Sequence, residues 1–215
     1  MTGLAQIERA ALCSTLTRLG PQAPTLCDGW TTRDLAAHLV MRERRPDAAA
    51  GVVIPALAGH TQRVQDDYAT QSWAALVDMV RQGPRPWTPL RVPAVDDAIN
   101  LAEFFVHHED ILRAQPEGTA EHPRELDADM SLALWSRLRQ AGLLLFRAAP
   151  VGVRLHAEGY GTKQVKAATK DGDVALTGAP GELMLFAFGR GKHTRVDLDG
   201  PPEAVQALQN ASLGA

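Results

Sequence analysis

A change of rhythm along a chain of 215 residues indicates an α+β fold. Apolar residues recur at helical spacing through the first 149 positions, and after Pro150 they alternate as in short strands. The expected organisation is a helical bundle over residues 1–149 followed by a small α/β domain over 150–215. A hydrophobic share of 45% against 22% charged residues supplies the core that such a chain needs and excludes a disordered one.

Leu4, Ile7, Ala11, Leu16 and Leu19 follow helical spacing until Gly20-Pro21 stops them, which predicts a first helix over 4–19. Trp30 leads into a second. Thr31 precedes Asp34 by three residues, as in a capping box, and Leu35, Leu39 and Arg42 continue one stripe until Pro46. Between Pro55 and Gly83 lie two further helical stretches, the second marked by Trp73, Leu76, Val77 and Val80. The segment GPRPWTPLRVP carries four prolines and reads as an extended connector, with Trp87 pinning it to the core. Long helices are expected from about Val95 to Ala114 and from about Leu126 to Ala149. The latter gathers Met130, Leu134, Leu138, Ala141 and Leu145 on one face. Long helices joined in this way indicate an antiparallel bundle.

Beyond Pro150, Val151, Val153 and Leu155 alternate with Gly152, Arg154 and His156, and KQVKAAT, DVALTG and TRVDLDG add three strand candidates. Pro180 opens and Gly189 closes a helix-length segment, and Pro201-Pro202 opens a last helix through Val205 and Leu208.

A net charge of -3 gives no reason to seek a polyanion, so nucleic acid is not an expected partner. No stretch approaches the roughly 20 apolar residues of a membrane span, and the first ten residues lack the basic start of a secretion signal. Cys13 and Cys27 are not spaced as CxxC and read as reduced thiols of a cytoplasmic protein. Cys13 falls within a helical pattern as a small core residue, whereas Cys27, in the turn-like LCDGW, receives no role.

The segment EFFVHHEDILRA, 103–114, carries the most chemistry. Glu103 and His107 are four residues apart and share a helix face, on a stripe with Ile99, Val106, Asp110 and Ala114. Polar groups thus interrupt a surface suited to packing. His38 does the same on the second helix, between Leu35, Leu39 and Arg42. A divalent ion held by His38, Glu103 and His107 would account for both intrusions, because imidazole and carboxylate suit zinc, nickel or iron and facing helices commonly supply such ligands. Two histidines and one carboxylate leave a coordination position for water or substrate. Asp110, three residues past His107, is placed to accept a ring N–H and fix the tautomer. The alternative is a set of hydrogen-bonded core histidines with no metal. His108 projects about 100° from His107 and reads as packing or surface, and His60, His122, His156 and His193 lack a comparable context. Arg42, Arg113, Arg190 and Arg195 are candidates to hold an anionic ligand or simply to solvate the surface.

WTTRDLAAHL, together with the later ExxxHHxD, resembles the metal-binding helical domain shared by DinB-like proteins and mycothiol-dependent maleylpyruvate isomerases, especially the actinobacterial metal-binding proteins that carry VHHED. The resemblance implies a DinB-like four-helix bundle whose divalent metal, zinc before nickel or iron, sits on one His from the second helix and a Glu-x-x-x-His pair. The matching positions are His38, Glu103 and His107. LTGAPGELMLFAFGR is similar to the small sterol-carrier-like domain that follows the bundle in the isomerase branch. The implied chemistry is activation of a low-molecular-weight thiol such as mycothiol at the open metal position, for S-transfer to an electrophile or for isomerisation. The partners would be a small-molecule thiol and an electrophile. A metal-binding module without turnover stays open beside this reading, and a homodimer through an exposed bundle face is compatible with it.

Overall fold

Helix α1 spans Leu4–Leu19 and stops where Gly20 turns to φ 80°, its N–H still donating to the Leu16 carbonyl. It buries Ala5, Leu12, Cys13 and Leu16 together with Glu8, Arg9 and Thr15, while Ile7 is 51% exposed. The inward face is therefore rotated from the one that apolar spacing indicates, because charged residues that find partners take part in it. Helix α2, Thr32–Arg44, begins at the expected capping box, with Thr31 N–H donating to Asp34 Oδ2 at 2.9 Å. A one-turn helix α3, Pro46–Ala49, follows, then α4, Ala58–Ala69, and α5, Trp73–Gln82, the last capped by Ser72. Helix α6, Pro93–Arg113, starts with proline in its first turn, a position where the missing N–H costs nothing.

The structure is a computed structural model and describes residues 3–49, 51, 54–85, 92–116 and 123–214. Most of the proline-rich connector, Trp87 included, and His122 lie outside the described residues. The chain divides into two units, Met1–Gly118 and Thr119–Ala215.

In the first unit α1 packs on α5 and α6, and α2 packs on α4 and α5. Leu12, Leu16, Leu35, Leu39, Leu76 and Phe104 are fully buried among them. Asp97 Oδ1 accepts the Ala5 N–H at 2.7 Å and so fixes the start of α1 against α6. The first unit is thus a layered helical domain, as expected, and its two polar-bearing helices α2 and α6 meet through the residues described below.

The second unit holds the sheet. Strands β1 (Gly152–Ala157), β2 (Gly161–Lys166), β3 (Asp173–Thr177) and β4 (Asp197–Asp199) lie in the order β2-β1-β3-β4. β1 pairs antiparallel with β2 and parallel with β3, and β3 pairs antiparallel with β4. Helices α8 (Pro180–Ala187) and α9 (Pro202–Gln209) occupy the two expected segments. The change of period at Pro150 marks the first strand, but the division into units falls earlier because α7, Ala128–Leu145, packs on α8 and β2. Gly142 permits that approach: a Cβ there would overlap the Val165 side chain. Among the described residues no helix is long and apolar enough to cross a membrane.

Candidate metal centre

Helices α2 and α6 turn one row of polar side chains toward each other. On α6 the row is Asp96, Asn100, Glu103, His107 and Asp110, spaced by three or four residues so that successive groups stack along one face. On α2 it is His38, Arg42 and Glu43. At one end of the row Arg9 from α1 meets Glu43 with two hydrogen bonds of 2.6 Å and lies 4.4 Å above the Phe104 ring. Its guanidinium also reaches Asp96 Oδ1 at 3.5 Å. Asn100 bridges onward, donating to Asp96 Oδ1 at 2.7 Å and accepting from Arg42 Nη1 at 2.7 Å. Arg42 then faces Glu103 Oε1 at 3.4 Å.

Beyond that point the partners change from opposite charges to metal-ligand atoms. One donor atom each from His38, Glu103 and His107 lie within 4.8 Å of one another. Glu103 Oε2 is 3.5 Å from His107 Nε2, and the His38 and His107 rings meet edge to face with centroids 5.3 Å apart. Trp30, from the turn entering α2, also packs on His38, with ring centroids 5.2 Å apart. Asp110, fully buried, accepts from or faces His107 Nδ1 at 3.0 Å. The three residues proposed as ligands from sequence are therefore together, and Asp110 is where a tautomer-fixing carboxylate belongs.

The electrostatics separate the two histidines. Burial first, and then the neighbouring His107 charge, outweigh the opposing pull of Glu103 and bring the His38 pKa down to about 3, so His38 is a neutral imidazole. Gln65 on α4 hydrogen-bonds to it. Burial also acts against a charge on His107, but hydrogen bonds with Asp110, Cys27 and Glu103 prevail and raise its pKa well above the usual value. For Glu103 burial favours the acid form, yet the His107 hydrogen bond and the Arg42 charge hold the carboxyl down to about 2. A proton on His107, between two carboxylates, thus fills the place of a cation. A divalent ion suits the same donor set once that proton leaves, since two imidazoles and a carboxylate are borderline ligands for first-row metals.

The other sequence candidates go elsewhere. Arg113 pairs with buried Glu109 at 2.8 Å, and Arg190 and Arg195 belong to the second unit. Cys13 is a buried core thiol whose pKa burial pushes up to about 11. His108 is neither loose packing nor surface: its Nδ1 is 2.7 Å from Glu8 Oε1 and its Nε2 2.9 Å from Thr15 Oγ1, which stitches α6 to α1. Sequence reasoning missed Gln65, Cys27 and the Arg9–Glu43–Asp96–Asn100 set. The α6 members had a signal, because Asp96 and Asn100 continue the Glu103/His107 stripe backward by seven residues each. Gln65 and Cys27 had none, since their partners are distant in sequence.

Residues 4–112 match the family model described as the mycothiol maleylpyruvate isomerase N-terminal domain. Comparison with curated proteins and with solved structures returns no match.

Proposed function

The chain belongs to the mycothiol maleylpyruvate isomerase N-terminal domain family, and on that footing we propose that it is a divalent-metal protein which activates a low-molecular-weight thiol, of the mycothiol type, for S-transfer or isomerisation of a small electrophile. The observation that carries this reading is the convergence of His38, Glu103 and His107 within 4.8 Å, with neutral His38 and anionic Glu103 already in ligand form.

A bound divalent ion, zinc before nickel or iron, would supply Lewis acidity and favour the thiolate form of a thiol that reaches it. The protein's own residues do the rest. His38 is held by a hydrogen bond with Gln65 and by packing against Trp30, which together constrain its ring. Asp110 accepts a hydrogen bond from His107 Nδ1–H and so keeps the proton there, which leaves the Nε2 lone pair facing Glu103 and His38. Arg42 engages the Glu103 oxygen on the far side from His107 and keeps the carboxylate ionised. Arg42 is 21% exposed at its side chain and is the cation best placed to meet an anionic thiol or acid substrate. The same reading takes the first unit as a DinB-like four-helix bundle and the second as a sterol-carrier-like domain, supported by the helix packing and by the β2-β1-β3-β4 sheet. A cytoplasmic setting and small-molecule partners fit the reduced cysteines and the net charge of -3.

The test is titration of cobalt-substituted protein with a panel of small thiols, in a Cys27→Ser background so that the protein adds no sulfur of its own. Thiol-dependent sulfur-to-cobalt absorption that saturates is the expected result. Cobalt binding with a spectrum indifferent to every thiol would contradict thiol activation and leave a metal-binding module.

A further inference from the structure

The turn before α2 brings a sulfur atom to the other edge of the His107 ring. Cys27 is held there by a built loop. Leu26 N–H donates to the Asp110 carbonyl at 3.0 Å, Cys27 N–H to Thr25 Oγ1 at 3.2 Å, and Trp30 N–H to the Cys27 carbonyl at 3.0 Å. Gly29, at φ 75°, supplies the left-handed residue that closes this turn. Cys27 Sγ consequently reaches Asp110 Oδ2 at 3.3 Å and hydrogen-bonds to His107. One donor atom each from Cys27, His107 and Asp110 lie within 4.8 Å of one another, as close a grouping as the first set.

The two sets use opposite ring edges. Glu103 faces Nε2 at 3.5 Å, and Asp110 faces Nδ1 at 3.0 Å. They also differ in softness: one offers two nitrogens and an oxygen, the other sulfur, nitrogen and oxygen, and thiolate selects for thiophilic ions. Asp110 and His107 are buried, whereas Cys27 is half-buried and gives the second set its opening to solvent. We propose that Cys27, His107 and Asp110 form a second cation site, selective for thiophilic ions such as Cd²⁺ or Cu⁺, which shares His107 with the first site and excludes its occupation. A neutral imidazole has one lone pair, so a cation at Nδ1 leaves the ring proton at Nε2 and removes a ligand from the His38–Glu103 side. Binding releases two protons to solvent, one from the Cys27 thiol and one from His107 Nδ1. A thiophilic ion at the turn thereby switches off whatever the first site does, without touching His38 or Glu103.

Cadmium titration of metal-free protein under reducing conditions, followed by thiolate-to-cadmium absorption, tests this. Wild type, His38→Ala and Glu103→Gln should each develop the band and saturate it at one equivalent, although the two variants have lost a ligand of the first site. Cys27→Ser, or Cys27→Ala, should show no band yet keep the zinc content of wild type. Cadmium should release zinc from zinc-loaded wild type at concentrations at least tenfold lower than from Cys27→Ser. The proposal is overturned if wild type gives no band or if the band survives in both Cys27 variants. It is equally overturned if His38→Ala and Glu103→Gln abolish the band, because cadmium then sits in the first site with Cys27 as an added ligand. The retained band in His38→Ala separates this proposal from the thiol-activation reading, whose failure would not affect it.

Discussion

The row of polar groups between α2 and α6 has two halves with different chemistry. Around Arg9, the carboxylates of Glu43 and Asp96 both accept from the guanidinium, and the Asn100 amide donates to Asp96, so that buried opposite charges meet one another. Around His107, two imidazoles and a carboxylate converge as ligand atoms, and charge balance in the metal-free protein depends on one proton at His107. Both halves are buried polar clusters on the same helices. The first satisfies itself with fixed charges, whereas the second is balanced by a proton that a divalent ion could replace on the function proposed above.

Breaking the half around Arg9 should have the largest effect on stability. Arg9→Ala leaves Glu43 and Asp96 buried without their counter-ion, and a loss of about 3–5 kcal/mol is expected in urea unfolding. Metal content per folded molecule should stay at the wild-type level, and a fall in metal content at unchanged stability would reverse the roles assigned to the halves. Asp110→Asn should do the opposite. It removes the acceptor that orients His107, so zinc affinity should drop by about 10–100-fold in competition with a chromogenic chelator.

Proton release sharpens the contrast at a finer scale. Near neutral pH a metal must displace the proton on His107, whose pKa is raised well above 6.5, and displaces none from His38, whose pKa is lowered to about 3. Zinc affinity should accordingly rise about tenfold per pH unit there, and calorimetry in buffers of different ionisation enthalpy should report close to one proton released. Release of two protons would show that His38 is also charged.

A last contrast concerns metal-free stability in acid, where the two histidines act against each other. His38 has its folded pKa depressed, so its neutral form is compatible with the fold above the unfolded value of 6.5, and stability is lost as pH falls from there toward about 3. The slope from this residue is about 1.4 kcal/mol per pH unit. His107 acts in the opposite direction, since its raised pKa contributes stability below 6.5 that disappears as pH rises through the folded value. His38→Gln should flatten the acid limb of the urea-midpoint profile, and an unchanged limb would locate the acid sensitivity elsewhere.

Much of this arrangement is written in local pattern. The start of α2 follows from Thr31 and Asp34, the end of α1 from Gly20, and the pairing of Glu103 with His107 from their spacing. His38 stood out because it interrupts an apolar stripe. Periodicity alone treats charged residues as solvated, and for that reason it misplaced the inner face of α1, where Glu8 and Arg9 are buried against His108 and Glu43. It also counted α7 with the bundle over 1–149, because an apolar helix face suits a sheet as well as a bundle, whereas α7 packs on α8 and β2. Cys27 depended on a turn that returns to Asp110 across 83 positions, a relation no local spacing contains.

Elemental analysis of purified, untagged protein asks directly whether His38, Glu103 and His107 hold one divalent ion. Wild type should contain one equivalent of a divalent metal, and His38→Ala, Glu103→Ala and His107→Ala should each contain little while remaining folded. Wild type with far less than one equivalent after zinc reconstitution, or variants that keep the full amount, would contradict that coordination.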